Sequence, residues 1–149
     1  VVTDEAGEGG DVEALEALVV YLMPRLGLNP ECELGVTLVD VEAMSALNEQ
    51  WMGEPGPTDV LSFPIDELRS APDGSAPSLG VLGDIVLCPA FARAQAAAAG
   101  RTLDAELDFL VVHGMLHLIG YDHASQSDYD AMFAMQDDLL AGWAGPIRG

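Results

Sequence analysis

Apolar residues follow helical spacing in three segments of the chain. Residues 11–26 place Leu and Val three and four positions apart, and Gly27 is well placed to end this helix. Residues 103–119 carry a wider apolar surface, which predicts a central, buried helix that ends at Gly120. A last helix is expected to begin at Ser127, because a serine hydroxyl can cap the first turn.

Shorter elements fill the segments between these helices. One short helix follows a capping Asp40, and another runs from Pro89 to a terminating Gly100. Apolar runs predict strands at residues 32–39, 60–65 and 79–87. Pro64 cannot donate to a neighbouring strand, so the second strand is expected at a sheet edge. Strands and helices interleave irregularly, which predicts the α+β class, with a small mixed β-sheet packed with several helices.

Length and composition narrow this picture. Half of the 149 residues are hydrophobic, so we expect a single domain over residues 1–149, and wholesale disorder is excluded. Residues 143–149 are expected to fray. Five Arg and no Lys stand against 25 acidic residues, which gives a formal charge of -20. A long basic groove, with the strong salt-dependent nucleic-acid binding that it would provide, is therefore excluded.

Cysteine usage and hydropathy bear on location. Cys32 and Cys88 lie in apolar, strand-like segments, where Cys behaves as a small hydrophobic residue. Two cysteines cannot make a disulfide framework; a single bridge between them is one alternative, and a reducing compartment fits them better. The chain shows no signal peptide and no apolar run near the roughly 20 residues that span a bilayer. We expect a cytoplasmic protein without membrane contact.

All three histidines, His113, His117 and His123, lie within eleven residues. His113 and His117 are four positions apart on the predicted helix and therefore share one face. Gly120 can adopt a left-handed conformation, which lets the chain fold back and carry His123 toward the other two. Three neutral imidazoles that converge suit a divalent transition metal, most simply one Zn²⁺ per chain.

The metal has a catalytic and a structural interpretation. Only three protein ligands are evident, which leaves one position for water, and zinc-bound water ionises near neutral pH. Hydrolysis is then the leading chemistry. The alternative is that a fourth ligand comes from elsewhere in the chain and that the metal only holds the fold.

A peptidase is a further interpretation, because the histidine spacing is that of the metzincin proteases. Those enzymes place a glutamate general base directly after the first histidine. This chain has Gly114 there, which has no side chain to accept a proton. A peptidase would need another base.

The sequence His-Gly-x-Leu-His-Leu-x-Gly-Tyr-Asp-His at residues 113–123 resembles the signature of the YbeY family. That family consists of bacterial metal-dependent single-strand endoribonucleases of ribosomal RNA maturation. The segments Pro57–Pro64 and Leu82–Ile85 and the pair Leu47–Asn48 are also similar to the family's sequences. Together these matches extend over most of residues 34–140.

The resemblance implies an α+β fold with the metal at the end of the central helix. It implies His113, His117 and His123 as zinc ligands, and a substrate cleft lined partly by Thr58–Pro64. The implied substrate is single-stranded ribosomal RNA, with roles in 16S rRNA 3′-end maturation and in ribosome quality control. The implied partners are small-subunit ribosomal proteins and a ribosome-assembly GTPase.

The chain departs from the family at Met52. Many members have an arginine here, four residues after Asn48, where it is thought to meet the phosphate. A methionine cannot pair with phosphate. Arg69 and Arg101 are candidate replacements, or the metal itself polarises a phosphate oxygen. With a net charge of -20, RNA binding is expected to be weak unless the cleft is locally positive or an RNA-bound partner positions the protein.

Four polar residues are candidates for the rest of the site. Thr58 and Ser62 are candidate contacts to the RNA. Asp122 either orients a histidine or stabilises a turn. Asp59 either acts in catalysis or bonds to the local backbone, as Asp commonly does in turns.

Four further residues have two interpretations each. Glu106 either supports the metal ligands or is a solvated helix charge. Asp84 lies in an apolar strand, where a buried carboxylate needs partners, or it braces the cleft loops. Trp51 and Tyr121 either stack on bases or pack in the core.

The sequence thus leaves functions of different classes open. The first is a zinc-dependent endoribonuclease of single-stranded RNA. The second is a non-catalytic ribosome-assembly factor with a structural metal, which Met52 and the acidic charge favour. The third is a metzincin-like metallopeptidase.

Overall fold

The computed structural model describes residues 1–7, 9–66, 68–69, 71, 77–121 and 126–143. The helices are α1 (Val12–Arg25), α2 (Val41–Met52), α3 (Pro89–Ala99), α4 (Leu103–Leu118) and α5 (Gln126–Ala141). The strands are β1 (Val2–Asp4), β2 (Glu33–Leu38), β3 (Val60–Pro64) and β4 (Val81–Leu87). The architecture is the predicted α+β class, with a small mixed sheet and helices packed on it.

Local sequence signals set the ends of most helices. The carboxylates of Asp11 and Asp40 and the hydroxyl of Thr102 each accept a hydrogen bond from a backbone N–H three residues further on. These bonds satisfy N–H groups that the first helical turn leaves unpaired. Gly53 and Gly100 have φ angles of 68° and 70° and end α2 and α3 in the left-handed conformation. The predicted cap at Asp40 and terminator at Gly100 are confirmed.

The sheet has the strand order β1-β2-β4-β3. β1 and β4 both pair with β2 in parallel, whereas β3 pairs with β4 antiparallel. β3 is therefore an edge strand, as Pro64 predicts. The sequence pattern does not predict β1, because three residues are too few to show alternation. β1 forms by pairing with β2, with Val2 opposite Val36.

An irregularity in β4 controls which of its side chains reach solvent. The register of β2 against β4 shifts after Glu33, so that Leu82 is an extra residue on β4. Asp84 is exposed, between the buried residues Gly83 and Ile85. The interpretation of Asp84 as a buried carboxylate is therefore wrong, because the strand turns this side chain to solvent on the face of the sheet that α2 covers only in part.

Two hydrophobic clusters pack against the sheet. The larger one joins side chains of α1, α4 and α5 to the sheet, and ten of the sixteen residues of α4 are buried. The predicted central helix is thus confirmed. The smaller cluster contains Val39, Met44, Leu61, Val86 and Cys88, and Met44 brings α2 onto it. Cys32 and Cys88 are both buried free thiols, as their apolar surroundings predict.

The C-terminal helix α5 begins earlier than the sequence predicts. α5 begins at Gln126, so Ser127 lies in its first turn and does not cap it. Periodicity locates a helix end only to within one or two residues. Of the segment expected to fray, residues 144–149 lie outside the described residues. The ring centroid of Trp143 lies 5.0 Å from that of Tyr21.

Within the described ranges, no helix is long and apolar enough to span a bilayer.

Candidate metal centre

His113 and His117 meet on one face of α4. They are one turn apart, and their Nε2 atoms are separated by 2.9 Å. Their rings are nearly perpendicular, with an angle of 77° and centroids 4.4 Å apart. Both residues are half-buried, so packing restrains them while solvent still reaches them. The helical spacing therefore directs two imidazole nitrogens toward one point.

Gln136 of α5 holds His113 on the opposite side of its ring. The Gln136 Oε1 atom lies 3.1 Å from His113 Nδ1, and the Gln136 residue is 0% exposed. An amide oxygen only accepts hydrogen bonds, so Nδ1 carries the proton and Nε2 keeps its lone pair. The rings of Phe109 and Phe133 lie 6.5 and 6.1 Å from the His113 ring. His113 is thereby held with Nε2 as an acceptor.

This donor set fits a transition metal. Neutral imidazole nitrogens are common zinc ligands, and a ligating histidine usually donates its other N–H to an acceptor such as Gln136. The expected third ligand, His123, and the neighbouring Asp122 lie outside the described residues. Among the residues that are described, no group of three or more His, Cys, Asp and Glu side chains is close enough to hold an ion. Two of the three expected ligands are thus brought together.

The edge strand β3 forms the wall of a cleft at these histidines. The cleft has a volume of about 380 Å³ and is lined by Met52, Asp59, Val60, Leu61, Ser62, His113 and His117. Asp59 Oδ1 accepts a hydrogen bond from the Val60 N–H at 2.8 Å and lies 3.3 Å from Thr58 Oγ1. The local backbone bond expected of Asp59 is therefore present, and the residue also lines the cleft.

The main chain of β3 presents polar groups at the open edge of the sheet. The Cys88 N–H donates to the Asp59 carbonyl oxygen, and bonded residues alternate along an antiparallel strand. Residues 59, 61 and 63 therefore face β4, whereas the backbone groups of Val60 and Ser62 point away from it. The Ser62 N–H is an outward-pointing donor beside the histidines.

Gly114 permits the close approach of α4 to the sheet at this site. A Cβ atom at Gly114 would lie 3.0 Å from Ile85 Cδ1 and 3.1 Å from Ser62 Oγ. Ordinary contacts between carbon atoms are about 3.5–4.0 Å. The glutamate of a metzincin would fit here only if the Ile85 and Ser62 side chains shifted by a few tenths of an ångström, so steric crowding also disfavours the peptidase interpretation.

Met52 lines the histidine cleft from the end of α2 and is 47% exposed. The nearby Asn48 is buried, and its Nδ2 donates to the Gly56 carbonyl oxygen at 3.0 Å, which joins α2 to the following loop. Among the described residues that line the cleft, none is Arg or Lys. The side chain at the position of the family arginine therefore offers the cleft an apolar surface.

The two candidate replacement arginines lie elsewhere. Arg101 Nη2 is 2.6 Å from Glu106 Oε1, and the Arg101 guanidinium carbon lies 5.0 Å from the centre of the Phe109 ring. Glu106 is 3% exposed, so the interpretation as a solvated helix charge is wrong: α4 is enclosed on that side, and the carboxylate is buried beside the arginine. Arg69 lines a separate cleft with Ile119, Gly120, Tyr121, Asp128 and Ala131.

The two candidate stacking residues differ in exposure. Tyr121 is half-buried and packs against the larger hydrophobic cluster, which is the core alternative for this residue. Trp51 is 60% exposed, so its core alternative is wrong. The Trp51 ring centroid lies 6.0 Å from that of Phe63 on β3, and much of the Trp51 side chain remains open to solvent.

Gln136 is the site residue that reasoning from the sequence missed. It lies 23 residues after His113 along the chain. The available signal was a glutamine at helical spacing from Met132 and Leu139, both of which are buried on the inner face of α5. A polar residue on an apolar helix face needs a partner, and here that partner is a histidine.

The chain is similar to known proteins over most of its length. A family model described as Endoribonuclease YbeY matches residues 8–144. The chain is 49% identical over 142 residues to the Endoribonuclease YbeY of Thermobifida fusca, covering 95% of this chain and 92% of that protein. It is 47% identical over 144 residues to the Mycobacterium tuberculosis Endoribonuclease YbeY, covering 95% and 81%. The solution structure of a Thermotoga maritima protein matches with a TM-score of 0.60 and 27% identity, covering 96% of this chain and 91% of that one. The chain belongs to the YbeY family of endoribonucleases.

Proposed function

We propose that this chain is a zinc-dependent, single-strand-specific endoribonuclease that acts in 16S rRNA 3′-end maturation and in ribosome quality control. The observation that carries the proposal is the convergence of His113 Nε2 and His117 Nε2, 2.9 Å apart, in a cleft along an edge strand. Residues 1–149 act as one catalytic domain in the cytoplasm. His113, His117 and His123 hold one Zn²⁺ ion.

When bound, zinc supplies a Lewis acid and a source of hydroxide at neutral pH. The protein's contribution begins with Gln136, which keeps the His113 proton on Nδ1. The lone pair of Nε2 is thereby left available to ligate the metal. The packed core around α4 fixes the helix and therefore the positions of both imidazoles. Ligands that are held in place before substrate arrives need no rearrangement during the reaction.

Asp59 is the proton acceptor that the described residues offer. Its Oδ1 atom is held by the Val60 N–H at 2.8 Å, which orients the carboxylate at the wall of the cleft. A carboxylate in this position can take the proton from the attacking water or RNA 2′-hydroxyl as the new P–O bond forms, while the P–O bond to the leaving ribose oxygen breaks and that oxygen takes a proton from water. Thr58 lies beside Asp59, with its hydroxyl oxygen 3.3 Å from Oδ1, and so supports that orientation.

Ser62 is the phosphate-positioning residue of the proposal. Its backbone N–H points to the open edge of β3 and its side chain lies beside Gly114. Neutral N–H and O–H donors contact phosphate oxygens in many nucleic-acid complexes. In this chain the Ser62 donors line the same cleft as Met52, whose side chain provides no positive charge for the phosphate.

The size and charge of the cleft favour an unpaired strand. A volume of about 380 Å³ admits a nucleotide, and unpaired nucleotides are those whose bases can turn into such a site. The charge of -20 disfavours a long RNA footprint. Small-subunit ribosomal proteins and a ribosome-assembly GTPase are therefore the proposed partners that bring the enzyme to its substrate.

Cleavage of a labelled single-stranded RNA by the zinc-loaded protein tests the proposal, with His117→Ala purified identically beside it. We expect cleavage by the parent and none by the variant, and weaker cleavage of the same strand once it is paired with its complement. The variant also controls for contaminating ribonucleases. Equal cleavage by both preparations, or cleavage by neither, would contradict the proposed endoribonuclease activity. Either result would favour a non-catalytic assembly factor with a structural metal.

A further inference from the structure

A second cleft lies next to the histidine cleft, on the face of the sheet that carries α2. It has a volume of about 650 Å³ and is lined by Thr37, Leu47, Trp51, Phe63, Pro64, Asp84 and Val86. The Trp51 and Phe63 rings form its aromatic wall, with centroids 6.0 Å apart and planes at 68°. Trp51 is 60% exposed, so a large aromatic surface faces solvent here.

The two clefts flank the edge strand β3 on its two faces. Met52 and Ser62 line the histidine cleft, and their chain neighbours Trp51 and Phe63 line the second cleft. Adjacent residues have Cα atoms about 3.8 Å apart. A single strand whose phosphate lies at the histidines and which crosses β3 therefore carries a neighbouring base to the Trp51 ring.

The charges of the two clefts favour RNA binding through a base contact over binding through a phosphate contact. Among the described residues, no Arg or Lys lines either cleft. Two of the chain's five arginines, Arg69 and Arg101, lie at other places, as shown above. Stacking of a base on an aromatic ring does not depend on cations and strengthens binding by about 5- to 150-fold per base. Asp84, which is exposed in the second cleft, would repel a phosphate.

Asp84 also restricts which base fits. An ionised carboxylate only accepts hydrogen bonds. Adenine, cytosine and guanine present an exocyclic amino group that can donate to it, whereas the one donor on the Watson–Crick edge of uracil, N3–H, lies between two carbonyl oxygens that repel the carboxylate. Asp84 and the Trp51 ring line the same cleft. An amino-bearing base stacked on Trp51 can therefore meet the carboxylate.

We propose that Trp51, Phe63 and Asp84 form a nucleobase subsite that takes a base with an exocyclic amino group, next to the scissile phosphate. The proposal rests on the proposed endoribonuclease function and adds a determinant of substrate choice to it. Trp51 is a positioning residue in this scheme and does not touch the reacting atoms.

Fluorescence tests the subsite without requiring cleavage. Trp51 and Trp143 are the two tryptophans of the chain, so Trp143→Phe leaves Trp51 as the only reporter. We titrate this variant with single-stranded oligonucleotides of 2′-O-methyl adenosine, cytidine or uridine, which lack the 2′-hydroxyl proton. We expect quenching by the adenosine and cytidine oligomers at lower concentrations than by the uridine oligomer. Trp51→Phe, which keeps Trp143, is expected to show no quenching.

Kinetics on cleavable RNA supply the second measurement. Trp51→Ala is expected to raise KM by about 5- to 150-fold with little change in kcat, whereas Trp51→Phe retains a ring and loses less. Val20→Ala, which trims an exposed apolar residue on α1, is the matched control and is expected to match the parent. Asp84→Asn is expected to reduce the preference against uridine, because an amide can also donate.

The outcomes separate this proposal from the proposed function. If the parent cleaves RNA but Trp51→Ala has the parent's KM and Trp51 fluorescence does not respond, the subsite is wrong and the endoribonuclease stands. If the parent cleaves no RNA yet Trp51 is quenched with the expected base order, the subsite stands and the enzyme proposal fails. If Trp51→Ala loses binding to ribosomal particles but not to oligonucleotides, the surface binds protein and the subsite is overturned.

Discussion

Gln136 Oε1 on α5 lies 3.1 Å from His113 Nδ1 on α4, so a buried glutamine sets the tautomer of a candidate metal ligand. The bond also joins the C-terminal helix to the central one, within a larger set of contacts between α4 and α5. Changes at Gln136 should therefore affect the metal before they affect the fold.

Gln136→Leu is expected to weaken zinc binding by about 10- to 100-fold, because the acceptor that orients His113 is lost. Gln136→Glu keeps an oxygen acceptor and should retain more of the affinity. Competition against a chromophoric zinc chelator measures both, with the exposed Asp137→Asn as the control on the same helix. Parent-like affinity in Gln136→Leu would show that His113 needs no help from α5.

Met52→Arg is expected to strengthen RNA binding, because it places a cation in the cleft beside the histidines. For an exposed ion pair the gain should be about two- to fivefold. The slope of log affinity against log salt should also steepen by about 0.7, the value for one added phosphate contact on a single strand. Met52→Gln is the neutral control. An unchanged salt slope in Met52→Arg would mean that the phosphate does not pass this residue.

Gly114→Glu recreates the metzincin pattern in sequence and is expected to destabilise the fold by about 1–3 kcal/mol, because its Cβ crowds Ile85 and Ser62 and forces both side chains to shift. No proteolysis of a denatured protein substrate should appear. Urea unfolding measures the stability, with the exposed Ala98→Glu on α3 as control. A stable Gly114→Glu protein with zinc-dependent proteolysis would contradict the steric argument.

Arg101→Ala is expected to lower the free energy of unfolding by about 1–3 kcal/mol and to leave RNA cleavage close to that of the parent. The arginine pairs with the buried Glu106, and its side chain is 42% exposed, which weakens the pair by solvent screening. Adding Glu106→Leu should restore much of the stability, because no buried carboxylate is then left unpaired. A large loss of cleavage at full stability would return Arg101 to the role of an RNA contact.

Removal of zinc by a chelator is expected to abolish cleavage while most of the helical circular dichroism persists. α4 is held by the larger hydrophobic cluster, so the helix does not depend on the ion for its position. Thermal melts with and without chelator, and recovery of cleavage on adding zinc, check this expectation. Cooperative unfolding on chelation would instead favour a structural metal.

Local sequence was sufficient for the features that depend on neighbouring residues. The helical spacing of His113 and His117 determines that they share a face of α4, since residues one turn apart always do. The cap at Asp40 and the terminator at Gly100 follow from hydrogen bonding and backbone freedom within a few residues. The edge position of β3 follows from Pro64, which has no N–H to donate.

The tertiary structure decided what depends on distant contacts. Gln136 reaches His113 only because α5 packs on α4, and β1 exists only because β2 offers its edge. Burial of Glu106 depends on the elements around α4, which no local pattern encodes. Local chemistry thus determined the candidate ligands of this protein, whereas packing between elements far apart in sequence determined what supports them and which surfaces remain open to RNA.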